Sequence, residues 1–124
     1  LQGMSHIEPW GRWSDSKQVK LSFMAAPNLC SAQELNLTFR AFVTKLNKSQ
    51  HFTFLLNNKE IGKTSVSYGQ KQPLEISMNY HQLLKCNEIN TFEIIIDNPT
   101  SPISVQAGND PRALGFGLIS FTFK

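Results

Sequence analysis

Apolar and polar residues alternate with a period of two along most of this chain. The clearest run extends from Leu35 to Val43, where apolar side chains at the odd positions alternate with Asn36, Thr38 and Arg40. Such alternation is typical of a β-strand that has one face on a core and the other in water. Shorter runs of the same kind begin at Val19, Phe52, Leu74, Phe92 and Ile119. The pattern therefore predicts strands almost throughout.

Turn-forming residues separate these runs. Asn57-Asn58 predicts a tight hairpin, because asparagine tolerates the positive φ that such turns require. A single helical segment of at most about a turn and a half is expected, from His81 to Lys85. About seven or eight short strands without a long helix predict an all-β fold, an antiparallel two-sheet sandwich or jelly roll. The expected core is led by Phe23, Leu37, Phe39, Phe54, Ile76, Ile94, Ile96 and Phe121.

Length and charge limit the class of protein. The chain has 124 residues, 40% of them apolar, so residues 1–124 are expected to form one domain around one core. The formal net charge of +3 is scattered without a basic run, which does not favour nucleic acid as a partner. No segment has the roughly 18 consecutive apolar residues of a membrane span, and the start lacks the features of a signal peptide.

The two cysteines, Cys30 and Cys86, each stand just before a strongly alternating segment. Both could therefore lie at the same end of the sandwich, and we expect them to form a disulfide if the protein works outside the cytoplasm. The alternative is a pair of separate buried thiols. A metal site is not expected at either cysteine, since the chain has no CxxC pair and no histidine lies near them.

Catalytic motifs are not found in the sequence. The three histidines are far apart, and no zinc-protease, nucleophile-elbow or phosphate-loop motif occurs. Glu8, Asp15, Asp97 and Asp110 could still meet in space as an acid-base pair. This number of carboxylates is ordinary for the chain length, so we expect neither an enzyme nor a cofactor.

One unusual segment runs from Glu8 to Asp15 and contains both tryptophans. Trp10 and Trp13 could stack on the apolar face of a sugar while Arg12 and Asp15 bond its hydroxyl groups. The alternative is that the tryptophans cap the open end of the core, with Arg12 laid over a ring.

A second unusual segment runs from Gly108 to Leu118. Asp110 and Arg112, two residues apart across a proline, suit a rigid turn that the carboxylate and guanidinium hold together. The glycines on either side of Phe116 predict that a large ring or another chain segment packs closely there. We expect the two segments to lie side by side at one edge of the sandwich, so that Arg12, Trp13, Asp110 and Arg112 share one surface. Both segments could then form one glycan site, whose candidate residues are Trp10, Arg12, Trp13, Asp15, Asp110 and Arg112. The alternative is that the second segment has a structural role.

The two segments also carry a family resemblance. Together they resemble a bacterial β-sandwich domain associated with phosphoglycerol transferases of the sulfatase-like type and with some membrane glycosyltransferases. The matching residues are Gly3, Ser5, Glu8, Trp10, Gly11, Trp13 and Ser14 in the first block, and Asp110, Pro111, Arg112, Leu114, Gly115, Gly117 and Leu118 in the second. The cysteine pair is not part of the resemblance.

The resemblance implies a fragment of a larger membrane-associated protein, located in the periplasm and working near a glycan or lipid-linked glycan. Catalysis would belong to another domain of that parent protein. The expected function is thus that of a non-catalytic accessory domain of an envelope glycan-modifying transferase that contributes glycan binding. The alternative is a structural or protein-interaction domain that packs against the catalytic domain of its parent. An exposed tryptophan in a groove would favour the first, and an extended exposed apolar patch the second.

Overall fold

Strands account for most of the regular structure in the computed structural model, which describes residues 1–80 and 83–124. The eight strands within the described residues are β1 Arg12–Trp13, β2 Gln18–Met24, β3 Glu34–Ala41, β4 Ser49–Leu56, β5 Lys59–Ser67, β6 Leu74–Asn79, β7 Ile89–Ile96 and β8 Phe116–Phe123. A five-residue α-helix, α1 Pro27–Ser31, lies between β2 and β3, and a 3-10 helix, Pro102–Val105, lies between β7 and β8.

The strands form two four-stranded antiparallel sheets, in the orders β1-β8-β3-β6 and β2-β7-β4-β5. This confirms the predicted all-β, two-sheet fold. The tight hairpin predicted at Asn57-Asn58 joins β4 to β5, and both asparagines have positive φ, 49° and 68°. A hairpin turn of this kind has positive φ at its central residues, which asparagine adopts at low cost.

In β3 the alternation of apolar and polar residues corresponds to an alternation of buried and half-buried side chains. Leu35, Leu37, Phe39 and Ala41 are buried, whereas the residues between them are half-buried on the outer face. In the centre of the sandwich the ring of Phe39 stacks on that of Phe116 at 4.9 Å between centroids. Further rings meet these two edge to face, so aromatic packing fixes the distance between the sheets.

The predicted core is wrong at Phe121, whose side chain is 49% exposed. Phe121 stands opposite the buried Leu37 and faces the same side of the sheet, as the alternation required. Its exposure has a different cause: β1 pairs with only Leu118 and Gly117 of β8, so the outer edge of β8 beyond them is uncovered within the described residues. The expected core residues Phe23 and Ile76 are partly buried and pack against the core.

The short helix expected from His81 to Lys85 is not seen where it can be checked. His81 and Gln82 lie outside the described residues, and residues 83–85 are not helical. Both helices that form in the described ranges instead have proline in the first turn after an extended residue. Proline favours this position because its fixed φ suits a helix start and its missing N–H needs no partner there.

Cys30 of α1 and Cys86 of the loop before β7 are joined by a disulfide, with their Cα atoms 5.7 Å apart. The bond links the connection between β2 and β3, which belong to different sheets, to the connection between β6 and β7. Near it, the buried Tyr80 donates its hydroxyl to the carbonyl of Leu29 at 3.1 Å. One end of the sandwich is therefore held by a covalent bond as well as by packing.

The N-terminal segment crosses from one sheet to the other. Gln2 pairs with Lys20 of β2 in one sheet, and Met4 pairs with Ser14, next to β1 in the other. Between them Gly3 has φ +85°, and a Cβ there would collide with the carbonyl oxygen of Gln18. Only glycine suits this crossing, because L side chains rarely adopt that backbone conformation.

Candidate functional site

Antiparallel pairing of β1 with β8 brings the two unusual segments together. Trp13 lies opposite Gly117, and Arg12 lies opposite Leu118. The buried Ser14 extends the pairing, since its N–H donates to the Phe116 carbonyl at 2.7 Å and its Oγ accepts from the Phe116 N–H at 2.8 Å. The structure therefore places the segments side by side at the sheet edge, as the sequence predicted.

The side chains of Trp10, Trp13 and Arg40 pack directly over the backbone of Gly117. A Cβ built on it would lie 2.6 Å from Arg40 Cγ, 3.0 Å from Trp13 Cζ3 and 3.1 Å from Trp10 Cη2. The 2.6 Å contact is closer than carbon atoms approach and the other two are tighter than usual, so a larger residue would require all three side chains to shift. This is the close packing predicted at the glycines around Phe116. Gly115 is similarly tight against Ile96.

The tryptophans form part of a row of rings on the outer face of this sheet. Trp10 and Trp13 meet edge to face at 5.1 Å between centroids, and Trp13 meets Phe42 at 6.1 Å. The guanidinium of Arg40 lies 4.6 Å from the Trp10 ring centroid, within cation–π range. Both tryptophans are half-buried, so neither belongs to the central core and each keeps part of its surface in solvent.

Arg40 and Phe42 were not among the predicted site residues. In the sequence they look like an outward residue of β3 and its continuation, and only the pairing of Arg40 with Gly117 brings them to the tryptophans. Arg12 does not lie over a ring as the alternative interpretation supposed. Its Nε donates to the Ser5 carbonyl at 2.9 Å, which leaves its two terminal nitrogens able to donate to a ligand.

Arg112 joins the second segment to the first. Its Nη2 lies 2.7 Å from Asp110 Oδ2, its Nη1 donates to Ser5 Oγ at 2.8 Å, and Nη1 lies 3.6 Å from Glu8 Oε2. The rigid Asp-Pro-Arg turn is also closed by the Arg112 N–H, which donates to Asp110 Oδ1 at 3.0 Å. Asp15 contributes in the same way, because its Oδ1 accepts from the Ala113 N–H at 2.8 Å.

These contacts set the charge state of the cluster. The hydrogen bonds that Arg112 donates lower the pKa of Asp110. In turn, the hydrogen bond to the Asp110 carboxylate raises the pKa of Arg112. Two of the four carboxylates considered for catalysis, Glu8 and Asp110, thus meet at one arginine. Asp97 lies beyond the end of β7, in the other sheet.

The six predicted ligand-binding residues therefore divide into two groups. Trp10, Trp13 and Arg12 offer ring surface and donors at the sheet edge, together with the added Arg40. Asp15, Asp110 and Arg112 are engaged in bonds that hold the two segments against each other. An arrangement of this kind can present a surface to a ligand, with the charged cluster as its support.

Within residues 1–80 and 83–124, no helix is long and apolar enough to cross a membrane. Nor do those residues bring three or more histidine, cysteine or acidic side chains together as a metal would require.

The fold and the paired end segments define a two-sheet β-sandwich domain. The chain belongs to the family described as Domain of unknown function (DUF7024), whose model matches residues 1–124. Phosphoglycerol transferase I of Escherichia fergusonii is 26% identical over 136 residues, an alignment that covers 96% of this chain and 15% of that protein. The resemblance to the β-sandwich domain associated with phosphoglycerol transferases is thereby confirmed, and the chain spans only a small part of that relative's length.

Two solved structures are similar to this chain at low sequence identity. A family two carbohydrate esterase from Clostridium thermocellum, in complex with cellohexaose, has a TM-score of 0.54 at 14% identity, and the match covers 98% of this chain and 29% of that one. A β-glucuronidase from Ruminococcus gnavus has a TM-score of 0.46 at 14% identity, covering 65% of this chain and 12% of that one. The first of these shows a common sandwich fold.

Proposed function

We propose that this chain is a non-catalytic accessory domain of an envelope glycan-modifying transferase and that it contributes glycan binding. The observation that carries the proposal is the pair of half-buried tryptophans on the outer face of a sheet, with Arg40 and Arg12 beside them. Tryptophan rings stack on the apolar faces of sugars, and arginine nitrogens donate to hydroxyl or anionic groups. The shallow site would suit a chain of sugars lying across the sheet edge.

The proposal also assigns roles to the supporting cluster. Asp110 and Arg112 hold the second segment in a fixed turn, and Arg112 reaches across to Ser5 and Glu8. This fixes the segment that carries the tryptophans before any ligand arrives, which lowers the entropic cost of binding. Asp15 acts in the same way through the Ala113 N–H.

The matched segment of a phosphoglycerol transferase supports the setting of this function. We infer a periplasmic location, a glycan or lipid-linked glycan as the ligand, and a parent catalytic domain on the same polypeptide. The disulfide between Cys30 and Cys86 fits an oxidising compartment. Chemistry would then take place in the parent domain while this domain keeps the glycan nearby.

Binding of gluco-oligosaccharides, with cellohexaose as one probe, tests the proposal by isothermal titration calorimetry. Trp10→Ala and Trp13→Ala should each weaken binding by about 1–3 kcal/mol, by analogy with other stacking surfaces, with little change in melting temperature. Tyr68→Ala is the matched control, because Tyr68 is an exposed aromatic residue in the turn after β5. Unfolding of both tryptophan variants without any ligand effect would show that the rings serve packing alone.

Two exposed isoleucines favour a second candidate function, that of a domain that packs against the catalytic domain of its parent protein. Ile7 and Ile103 are 75% and 53% exposed. Each adjoins the Arg112 cluster, which consists of Arg112, Asp110, Glu8 and Ser5. Ile7 precedes Glu8, and the Ile103 N–H donates to the Asp110 carbonyl at 3.1 Å. Exposed apolar residues beside a rigid charged cluster suit packing against another domain. If the domain packs against its parent in this way, the double variant Ile7→Asp with Ile103→Asp should weaken the contact between the two domains. Limited proteolysis of the longer protein would then cleave the link between them faster than in wild type, while oligosaccharide binding stays unchanged.

A further inference from the structure

A cleft runs between the two sheets on the side where β2 and β8 form their edges. Its volume is about 280 Å³, and all fourteen residues that line it are apolar. The two edge strands contribute Val19, Leu21 and Phe23 from β2, and Leu118, Phe121 and Phe123 from β8. This inter-sheet cleft opens inside the sandwich, whereas the tryptophans lie on the outer face over Gly117.

The cleft is open because the edges of the sheets do not meet there. The N-terminal segment covers only one end of the cleft, where Gln2 pairs with Lys20 of one sheet and Met4 pairs with Ser14 beside the other sheet. Along the rest, Met24 and Phe121 remain 57% and 49% exposed although they line the cleft. Large apolar side chains of a sealed core would be buried, so this lining is accessible from solvent.

The shape of the cleft selects the class of ligand. Its lining follows β8 from Leu118 to Phe123, which is about 16 Å at the rise of an extended strand. Since stacked sheets lie only about 10 Å apart, the available space is long and narrow. An unbranched hydrocarbon chain fills such a space, and the apolar lining offers nothing to bond the hydroxyl groups of a sugar.

The lysines of the two edge strands do not give the cleft a charged rim. Lys20 alternates with the lining residues Val19 and Leu21, so it faces the other side of the sheet, where it stands opposite Glu93. Lys124 pairs through its backbone with Glu34. The lining therefore argues for the hydrocarbon chain of a ligand and not for the charge of its head group.

We propose that the inter-sheet cleft binds the unbranched hydrocarbon chain of a single-chain amphiphile, with the chain between the sheets and the head group in solvent. This site is separate from the tryptophan surface and does not depend on glycan binding. Titration of the 124-residue chain with dodecanoate below its micelle concentration, followed by calorimetry and by methyl NMR shifts, provides the test. Dodecanoate should bind at one saturable site, and butanoate at least about tenfold more weakly, because each buried methylene contributes to affinity.

Two variants locate the site. Leu21→Phe fills the cleft, and Phe121→Asp places a carboxylate on its exposed lining, so each should weaken dodecanoate binding at least about tenfold. Leu55→Phe is the matched control, since Leu55 is half-buried on β4 and lies outside the lining. Dodecyltrimethylammonium, which carries a hydrocarbon chain of similar length on a cationic head, should bind with an affinity within about tenfold of that of dodecanoate, because the lining contacts the chain.

Four results would overturn the proposal. The first three are no saturable binding of dodecanoate, equal binding of dodecanoate by wild type and both cleft variants, and binding of only one of the two dodecyl amphiphiles. The fourth is protection of the β8 edge amides from hydrogen exchange only in the longer parent protein, with no amphiphile binding, which would assign the cleft to a peptide segment. Because Trp10→Ala leaves the cleft lining intact, it should not change dodecanoate affinity whether or not the glycan proposal holds.

Discussion

The two halves of the sandwich interior carry similar residues and differ in how they are closed. In one half Phe39, Phe52, Phe54 and Phe116 are at most 1% exposed, and their rings contact one another in stacked and edge-to-face pairs. In the other half Phe121 is 49% exposed beside an open cleft. Phenylalanines at inward positions of paired strands thus become core residues only where neighbouring strands cover both sides of their own strand.

Strand order explains the difference. β3 lies between β8 and β6, and β4 lies between β7 and β5, so residues of these central strands are covered on both sides. β2 is an edge strand, and β8 is covered along only two residues by β1. An edge leaves both backbone groups and apolar side chains accessible, which makes it the natural place for a ligand or partner.

The largest expected effect comes from truncating one phenylalanine in each half. Phe39→Ala should lower the free energy of unfolding by about 3–5 kcal/mol, because it leaves a cavity among tightly packed rings. Phe121→Ala should lower it by less than about 1 kcal/mol, as for other half-exposed positions. Urea denaturation of both variants checks this. Equal losses would mean that the cleft is closed in solution.

The disulfide gives the next largest effect and concerns the open half. It fixes α1, whose Leu29 lines the cleft, to the loop before β7. Replacing both Cys30 and Cys86 by alanine should cost about 2–4 kcal/mol, because the unfolded chain regains freedom across a 56-residue separation. Mass spectrometry of the non-reduced protein establishes the bond, and two free thiols after oxidative purification would contradict it.

Much of the fold could be predicted from the sequence because alternation reports which residues share a face. The strand runs, the Asn57-Asn58 hairpin and most of the expected core agree with the structure. Coverage of a face could not be predicted, since it depends on which strands lie at an edge. That is why Phe121 was wrongly placed in the core. α1 was missed because Pro27 is the main local signal of so short a helix.

The candidate site was predictable in part. The adjacency of the two end segments and the close packing at Gly117 follow from residues that are unusual for strands or turns. Arg40 could not be identified, because an arginine at an outward strand position is ordinary until the register sets it opposite Gly117. Likewise, the sequence could not tell which polar residues face a ligand and which, like Asp15, bond the neighbouring segment.

Gly117 offers a way to disturb the tryptophan surface while leaving the interior intact. Gly117→Ala should cost about 1–3 kcal/mol, because the new methyl group would meet Arg40, Trp13 and Trp10 at 2.6–3.1 Å. Tryptophan fluorescence should change at the same time, since both rings must move. Ser120→Ala, at an exposed position of the same strand, is the control and should stay within about 0.5 kcal/mol of wild type. A neutral Gly117→Ala would show that the rings do not rest on this residue.

The smallest expected effect concerns the Arg112 cluster and its dependence on pH. Arg112 lowers the pKa of Asp110 in the folded protein, so this carboxylate stabilises the fold fully above its ordinary pKa of about 4. The contribution is lost as the pH falls through the lower folded pKa. Asp110→Asn should therefore melt slightly below wild type at pH 7, and the difference should shrink as the pH falls below about 4. Asp97→Asn, at an exposed residue in the bend after β7, is the control. A constant difference between Asp110→Asn and wild type from neutral to acid pH would mean that the ion pair with Arg112 does not stabilise the paired segments.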